Sequence, residues 1–318
     1  MPSASGFRMR KFWSAIATAM QIFMQKPLKC IYNTTLQANG RCIGKTEIQT
    51  EVNMQRFAIG IEFCGVSYKG WQTQQPGVPS VQETLEKVLS KIANEPVTVH
   101  GAGRTDAGVH ATNMVAHFDT SAIRPIRGWL MGANSTLPKD ISIQWIKEMD
   151  ESFHARFKAQ ARRYRYVVYN NPQRPALLHK QVTHAYYPLD ADKMIEAARK
   201  FEGTHNFESF RAAACQSNQP VRHVSHCRLI RHGCYLVLDI QADGFLHHMV
   251  RNIMGCLLEI GQGMHEIDHI DEIFAAEDRK AAGVTAPPDG LYFIQAHYPE
   301  HFDLPKVPLG PHWLNMPE

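Results

Sequence analysis

The sequence predicts an α+β fold built on an antiparallel sheet. Three observations carry that expectation: segments with apolar–polar alternation recur along the chain, two of them are close enough to form a hairpin, and stretches with helical periodicity lie among them. At 318 residues the chain has room for one large or two medium domains, taking roughly 150 residues for each. A balance of 44% hydrophobic and 20% charged residues is that of a globular protein and excludes a disordered or fibrous chain. No apolar run reaches the ~18 residues that a membrane-spanning helix needs, which excludes an integral membrane protein.

Each element has its own signal. Phe57, Ile59, Ile61 and Phe63 alternate, which predicts a half-buried strand. Ser80-Val-Gln-Glu83 is a capping box, and Val81, Leu85, Val88, Leu89 and Ile92 then fall on one helical face. Pro96–His100 and Met114–Phe118 are predicted strands flanking a glycine-rich segment at residues 101–108. Ile141–Ile146 and Tyr164–Tyr169 are further strands, followed by a helix over about 190–202. Val221–Arg231 and Tyr235–Ala242 face each other across His232-Gly233 as a hairpin. Phe245–Ile260 is a strong helical pattern, Asp268–Ala276 a shorter one, and Leu291–His297 a late strand. Asn170, Asn171, Pro172 and Pro175 interrupt the pattern and mark the divide between a first half, residues 56–170, and a second half, residues 171–318.

The formal charge of +4 invites a nucleic-acid interpretation, but its location does not support one. Of 34 basic and 30 acidic residues, seven and two fall in residues 1–55, which leaves 27 and 28 in the other 263. A polyanion would therefore have to be met by a local patch. Residues 1–55 read as a leader: no acid precedes Glu47, and Met9-Arg10-Lys11 stands before an apolar stretch broken by Ser14, Thr18 and Gln21. That pattern is a poor match to a secretory or organellar targeting segment, so a poorly ordered extension ahead of Met54 is expected. Seven cysteines without a C-x-x-C pair indicate neither a disulfide framework nor a zinc site, which suits a reducing cytoplasm.

The most unusual string is Gly101-Ala-Gly-Arg-Thr-Asp-Ala-Gly-Val-His110. Its spacing is G-x-G-x-x-x-x-G, and no Gly-Lys-Ser/Thr ends it, so neither a dinucleotide fingerprint nor a P-loop is present. It does supply a carboxylate, Asp106, near a strong cation, Arg104, on a loop that a large substrate can approach closely. Residues 155–166 add five basic groups, Arg156, Lys158, Arg162, Arg163 and Arg165, with Phe157, Tyr164 and Tyr166 interleaved and no acid. Cations for phosphates and aromatic rings for bases are what hold RNA with splayed-out nucleotides. On a strand Tyr164 and Tyr166 share one face, and Arg163 and Arg165 the other. In Phe245-Leu-His-His-Met-Val-Arg-Asn252, helical spacing sets His247 and Arg251 on one face, beside His248 and Asn252. A buried guanidinium needs a carboxylate partner, and Asp106 is a candidate. Two adjacent histidines without a spaced third ligand make a poor metal site, so no metal is expected.

Gly103-Arg-Thr-Asp-Ala-Gly-Val-His110 resembles the signature loop of the TruA family of tRNA pseudouridine synthases. Tyr68-Lys-Gly-Trp-Gln72, Ser80-Val-Gln82, Phe153-His-Ala-Arg-Phe157, Arg162-Arg-Tyr-Arg-Tyr166, Phe207-Glu-Ser-Phe210, His248-Met-Val-Arg-Asn252 and Ala286-Pro-Pro-Asp-Gly-Leu291 follow in the family's order, so the resemblance covers the chain from about Arg56 onward. Cys64 departs from it, standing where the family usually has aspartate; it lies outside the catalytic strings.

The resemblance implies two similar α+β halves that share a mainly antiparallel sheet with flanking helices, and a catalytic cleft between them. It implies isomerisation of uridine to pseudouridine in the tRNA anticodon arm by a homodimer, without metal, organic or nucleotide cofactor. By the same resemblance Asp106 is the catalytic carboxylate, either attacking the sugar or removing a proton from it. Arg251 would pair with Asp106, Arg104 would help displace the target nucleotide, and Tyr164 would stack on the uracil. Arg156, Arg162, Arg163, Arg165 and His248 are the further candidates for RNA contact. Two rival functions make different demands on the sequence. A glycosidase or nucleosidase would need a second carboxylate in comparable surroundings, which the sequence does not offer. A non-catalytic RNA-binding module would have no need of Asp106, which is present.

Overall fold

A computed structural model describes residues 54–213 and 215–314, so the leader expected over residues 1–55 lies outside the described residues except for its last two. In chain order the elements are β1 (Gln55–Phe63), α1 (Val81–Ala93), β2 (Val99–Gly101), β3 (His110–Thr120), α2 (Ile126–Thr136), β4 (Ile141–Met149), β5 (Ala161–Asn170), β6 (Thr183–Ala185), α3 (Ala191–Arg199), β7 (Gly203–Asn206), β8 (Val221–His232), β9 (Tyr235–Ala242), α4 (Met249–Gly261), α5 (His269–Ala276) and β10 (Leu291–His297).

Local signals account for most of these. Ser80 caps α1 by accepting the Glu83 amide at 3.3 Å, a contact worth about 1 kcal/mol. Val81, Leu85, Val88 and Leu89 are buried as the periodicity requires. Strands β6 and β7, of three and four residues, were not expected, and three further elements differ from expectation. Helix α2 had no sequence signal, because Gly128, Gly132, Asn134 and Ser135 are weak helix formers. Packing holds it instead: Trp129 is fully buried against Phe118 and Phe57, at ring distances of 5.3 and 5.9 Å. Strand β3 begins at His110, earlier than its apolar core suggested. Helix α4 begins at Met249 instead of Phe245, since His248 takes a left-handed backbone with φ of 63° and ends the helical run on that side.

The strands form one sheet in the order β4-β1-β3-β10-β5-β9-β8-β7, with β2 added to β3 and β6 to β5. Pairings are antiparallel except β10 with β3 and β5 with β6, so the sheet is mixed and mostly antiparallel. The late strand β10 joins the two parts of the sheet. Phe293 stands opposite Ala111 of β3 on one side and Tyr164 of β5 on the other. It thereby brings the glycine-rich loop that precedes β3 beside the aromatic strand β5.

All five helices contribute to one large apolar cluster, with Leu85, Trp129, Met194, Ile253 and Ile270 among its buried members. A second, smaller cluster of Val167, Val182, Val237, Tyr292, Ile294 and Leu314 covers the reverse of the central strands. The alternation along β5 therefore divides it as its sequence predicts: Tyr164, Tyr166 and Val168 join the helical side, and Val167 the reverse.

Candidate active site

The glycine-rich loop is held from two sides. At its start the Ala102 amide donates to the Val115 carbonyl at 2.8 Å, which keeps the chain beside the sheet after β2 ends. Opposite, the segment Tyr68–Trp71 lies along the loop: the Trp71 amide donates to Thr105 O at 3.1 Å, and the Gly108 amide to Tyr68 O at 3.3 Å. Two glycines make this approach possible. Gly70 has a φ of +105°, and a Cβ there would stand 2.5 Å from Thr105 O. Gly108 has a φ of +82° and lies against Pro288. The sequence resemblance placed Tyr68-Lys-Gly-Trp-Gln72 in a family pattern; the structure shows what the segment does, which is to shape the loop that carries Asp106.

Asp106 is half-buried, and three cations or potential cations surround its carboxylate. Arg251 Nη1 lies 3.1 Å from Oδ2, His248 Nε2 3.4 Å from Oδ2, and His247 Nε2 3.3 Å from Oδ1. Arg251 is itself oriented, because its Nε donates to the Ala286 carbonyl at 2.9 Å while the Ala286 amide returns a bond to Arg251 O. The segment 286–291 therefore aims the guanidinium, and then enters β10.

His247 does not stand on the helix with Arg251, as the sequence spacing suggested. It lies in the bend before α4, held by the Ala212 amide on its carbonyl and by its own amide on Cys215 Sγ at 3.4 Å. His247 and Arg251 reach Asp106 all the same, from a loop and a helix respectively. Asn252, expected on the same face, is fully buried and structural: its amide group donates to Phe210 O, and its oxygen accepts from Arg279 and Thr285. Burial holds the His248 imidazole below its usual range, and the neighbouring Arg251 and His247 act in the same direction against the opposing charge of Asp106.

The cleft around Asp106 has a volume of about 880 Å³. Tyr164 forms part of its wall, with its ring edge-on to Phe245 at 5.0 Å and Phe293 at 5.2 Å. Burial, aided by the negative charge of Asp106, pushes the Tyr164 hydroxyl above its ordinary range, so it stays protonated at neutral pH. Arg104 is exposed at the rim, where its Nη1 donates to Gln216 at 2.8 Å. His100, His154, Arg156 and Phe157 complete the side away from α4.

The basic strand resolves into three roles. Arg156 lines the cleft with its guanidinium exposed. Arg162 also borders the cleft, but its donors are taken by the carbonyls of Ala102, Arg156, Ala159 and Asp243, so it braces the loop and strand around it. Arg163 and Arg165 point to the reverse of the sheet. There Arg163 makes a bidentate pair with Asp239 at 2.6 and 2.8 Å, and Arg165 binds the same carboxylate at 2.8 Å and Gly310 O at 2.9 Å. They stand on the face opposite the cleft, with their donors committed to a buried network and not directed into the cleft. Cys64 likewise lies apart from Asp106, against a separate cavity of about 360 Å³ bordered by His110 and Tyr292.

Asp106, His247 and His248 offer three donor atoms within 4.8 Å of one another, so folding supplies the third ligand that the sequence spacing lacked. What weighs against a divalent cation here is the Arg251 guanidinium already on Oδ2. Chemically the arrangement is an acid–base or nucleophilic carboxylate, fixed by a fork of donors, in a cleft with one aromatic wall and a cationic rim. Among the described residues, no helix is long and apolar enough to cross a membrane.

Comparison with known proteins gives consistent results. The family model described as tRNA pseudouridine synthase matches residues 59–158 and 197–299. The tRNA pseudouridine synthase A of Acinetobacter baumannii (strain AYE) is 84% identical over 265 residues, covering 83% of this chain and 100% of that protein. That of Acinetobacter baylyi (strain ATCC 33305 / BD413 / ADP1) is 82% identical over 265 residues, covering 83% of this chain and 98% of the relative. The protein of the same name from Pseudomonas aeruginosa (strain PAO1) is 54% identical over 262 residues, covering 82% and 92% respectively.

Proposed function

The chain belongs to the tRNA pseudouridine synthase family, and from that premise we propose that it isomerises uridine to pseudouridine in the anticodon stem-loop of tRNA, with Asp106 as the catalytic carboxylate. The observation that carries the proposal is the Asp106–Arg251 pair at 3.1 Å inside the cleft walled by Tyr164. The reaction breaks the N1–C1′ bond and forms a C5–C1′ bond; C5 gives up a proton and N1 gains one. Asp106 begins it, by attack on C1′ or by removing a proton from the sugar to give a glycal. Both routes need a carboxylate whose rotamer is fixed and whose second oxygen is free to approach the ribose. Arg251 on Oδ2 supports this, since it leaves Oδ1 with only the longer His247 contact.

Tyr164 stacks on the uracil and keeps it in the pocket while it turns, and its protonated hydroxyl remains close to the reacting base. Arg104, exposed at the rim, occupies the space vacated by the extruded nucleotide. Flipping costs a few kcal/mol, which the stacking and phosphate contacts offset. Arg156 takes a phosphate. The enzyme works as a homodimer in the cytoplasm and needs neither metal nor organic cofactor. Incubating purified protein with unmodified tRNA, in buffer containing a chelator, tests the reading. Carbodiimide primer extension is expected to show new pseudouridine in the anticodon arm. The Asp106→Asn protein should bind the tRNA and leave it unmodified; conversion by that variant would sink the assignment.

A further inference from the structure

One side of the cleft holds a column of rings that the proposed chemistry at Asp106 does not use. At its base His117 of β3 is buried, and its Nδ1 accepts the Ala155 amide at 3.2 Å. The His154 ring meets His117 edge-on at 4.5 Å, and its own Nδ1 accepts the amides of Arg156 and Phe157 at 3.1 and 3.3 Å. Phe157 caps the column, its ring 4.3 Å from that of His154, and His100 lies 5.0 Å from His117 on the flank. His117 thus fastens Ala155 to the sheet, while His154 ties down residues 156 and 157 and backs the Phe157 ring. Phe157 is nonetheless 75% exposed at the mouth of the cleft.

A solitary exposed phenylalanine on a surface needs no explanation. This one is different in three respects. Its backbone is locked by the ring beneath it, it borders the same cleft as Asp106, and the Arg156 guanidinium lies 5.8 Å from its centroid. Among the described residues Arg156 is in no ion pair, so an uncompensated cation stands over a ring that is itself mostly exposed. Burial and mutual repulsion hold the His117 imidazole down to about 3 and the His154 imidazole below its usual range. Both rings are therefore neutral at physiological pH and able to accept the amides that set the loop.

We infer that Phe157, backed by His154 and flanked by Arg156, is a stacking platform for a second unpaired base of the RNA substrate, separate from the target uridine at Asp106. The chemistry that fits is general: an open ring face takes any base, and the adjacent guanidinium takes the phosphate attached to it. The platform therefore contributes affinity and placement without choosing a sequence. This inference rests on tRNA being the substrate, and its test separates the two.

Steady-state kinetics on unmodified tRNA should show Phe157→Ala raising KM on the order of 10-fold, with kcat within about twofold of the wild type. Phe157→Trp should restore KM, and Phe157→Leu should not, because leucine keeps apolar bulk but has no ring face. Anisotropy titration of a fluorescent anticodon stem-loop should give the same ranking in Kd. With 2-aminopurine moved through the unpaired positions, one position other than the target should be quenched by the wild type and released by Phe157→Ala. An unchanged KM and Kd for the alanine variant would overturn the platform, as would full rescue by leucine. A changed oligomeric state of Phe157→Ala in sedimentation velocity, with KM intact, would make this surface a protein contact and overturn it too. Absence of pseudouridine formation by the wild type would instead remove the reading of function, while the binding ranking still decides whether Phe157 holds RNA.

Discussion

Two arginine–aspartate clusters sit back to back across the same sheet, and they differ in almost everything except their chemistry. On the reverse face Asp239 is buried, with a side chain only 3% exposed, and Arg163 and Arg165 bind its two oxygens through three short hydrogen bonds. On the cleft face Asp106 has a side chain 22% exposed, and its contacts run from 3.1 to 3.4 Å. The first carboxylate is saturated and closed; the second is oriented but left with capacity to spare. A saturated pair is a structural element whose loss leaves uncompensated buried charge. A carboxylate held by longer contacts, with Oδ1 met by His247 alone, is oriented and still accessible, as the role proposed for Asp106 requires. Saturation and access, more than the identity of the residues, separate the two uses.

Exchanging single atoms in the two clusters should break the comparison most sharply. Asp106→Asn is expected to lower kcat by roughly 10⁴-fold or more and to leave thermal unfolding nearly unchanged. A variant with residual activity within tenfold of the wild type would contradict the division drawn here. Asp239→Ala should do the opposite. It strands two guanidinium groups, one of them on a side chain 2% exposed, and should cost about 3–5 kcal/mol of stability by denaturant titration. The fraction that remains folded should retain normal turnover.

Arg251→Met should fall between these extremes, reducing kcat/KM by roughly 10²-fold. Lysine is not expected to rescue it, since the site uses the fork, with Nε on Ala286 O and Nη1 on Asp106. Equal activity of the lysine and wild-type enzymes would show that only charge matters at that position.

The smallest effect sharpens the comparison through pH. Burial pushes the Asp239 carboxyl up, but the hydrogen bonds from Arg163 and Arg165 outweigh it and hold the group below its ordinary range. Its stabilising contribution is therefore full above the unfolded value of about 3.9 and is lost as pH falls through the lower folded value. His117 acts earlier. Its folded value near 3 lies below the unfolded value of about 6.5, so the unfolded chain takes up the proton first, and stability falls as pH drops across that interval. The slope from this group is at most about 1.4 kcal/mol per pH unit. Urea midpoints measured from pH 7 to 4 should decline in the wild type and less steeply in His117→Gln.

Much of the fold was legible without coordinates. Alternation located β1, β4, β5, the β8–β9 hairpin and β10, and the Ser80 cap with its apolar face located α1. Helix α2 was not, because its stability comes from Trp129 entering a pocket between β1 and β3 and not from its own residues. At the site, Asp106, Arg104, Tyr164 and Arg251 were all singled out by sequence, and folding brings them to one cleft. His247 drew notice as one of two adjacent histidines and through a helical spacing that does not exist, since the left-handed backbone at His248 ends α4 before it. His100 and His154 gave no separate signal, being single imidazoles in strings of other character.

What the sequence determined by itself was local or periodic: the alternation that makes strands, the cap that starts a helix, and the loop that offers one carboxylate among glycines. It also determined that Tyr164 and Arg163 must face opposite ways, because successive side chains of a strand do. Which way each faced could not be read from the chain. The position of β10 between β3 and β5 decided that Tyr164 meets the cleft and Arg163 and Arg165 meet Asp239. That strand pairs with residues more than a hundred positions away, and the free energy of such pairing depends on the packing of both faces at once. Local propensity contains no record of it. Arg156, Arg162, Arg163 and Arg165 thus look alike in sequence, and the tertiary structure divides them into a cleft cation, a brace and a buried ion network.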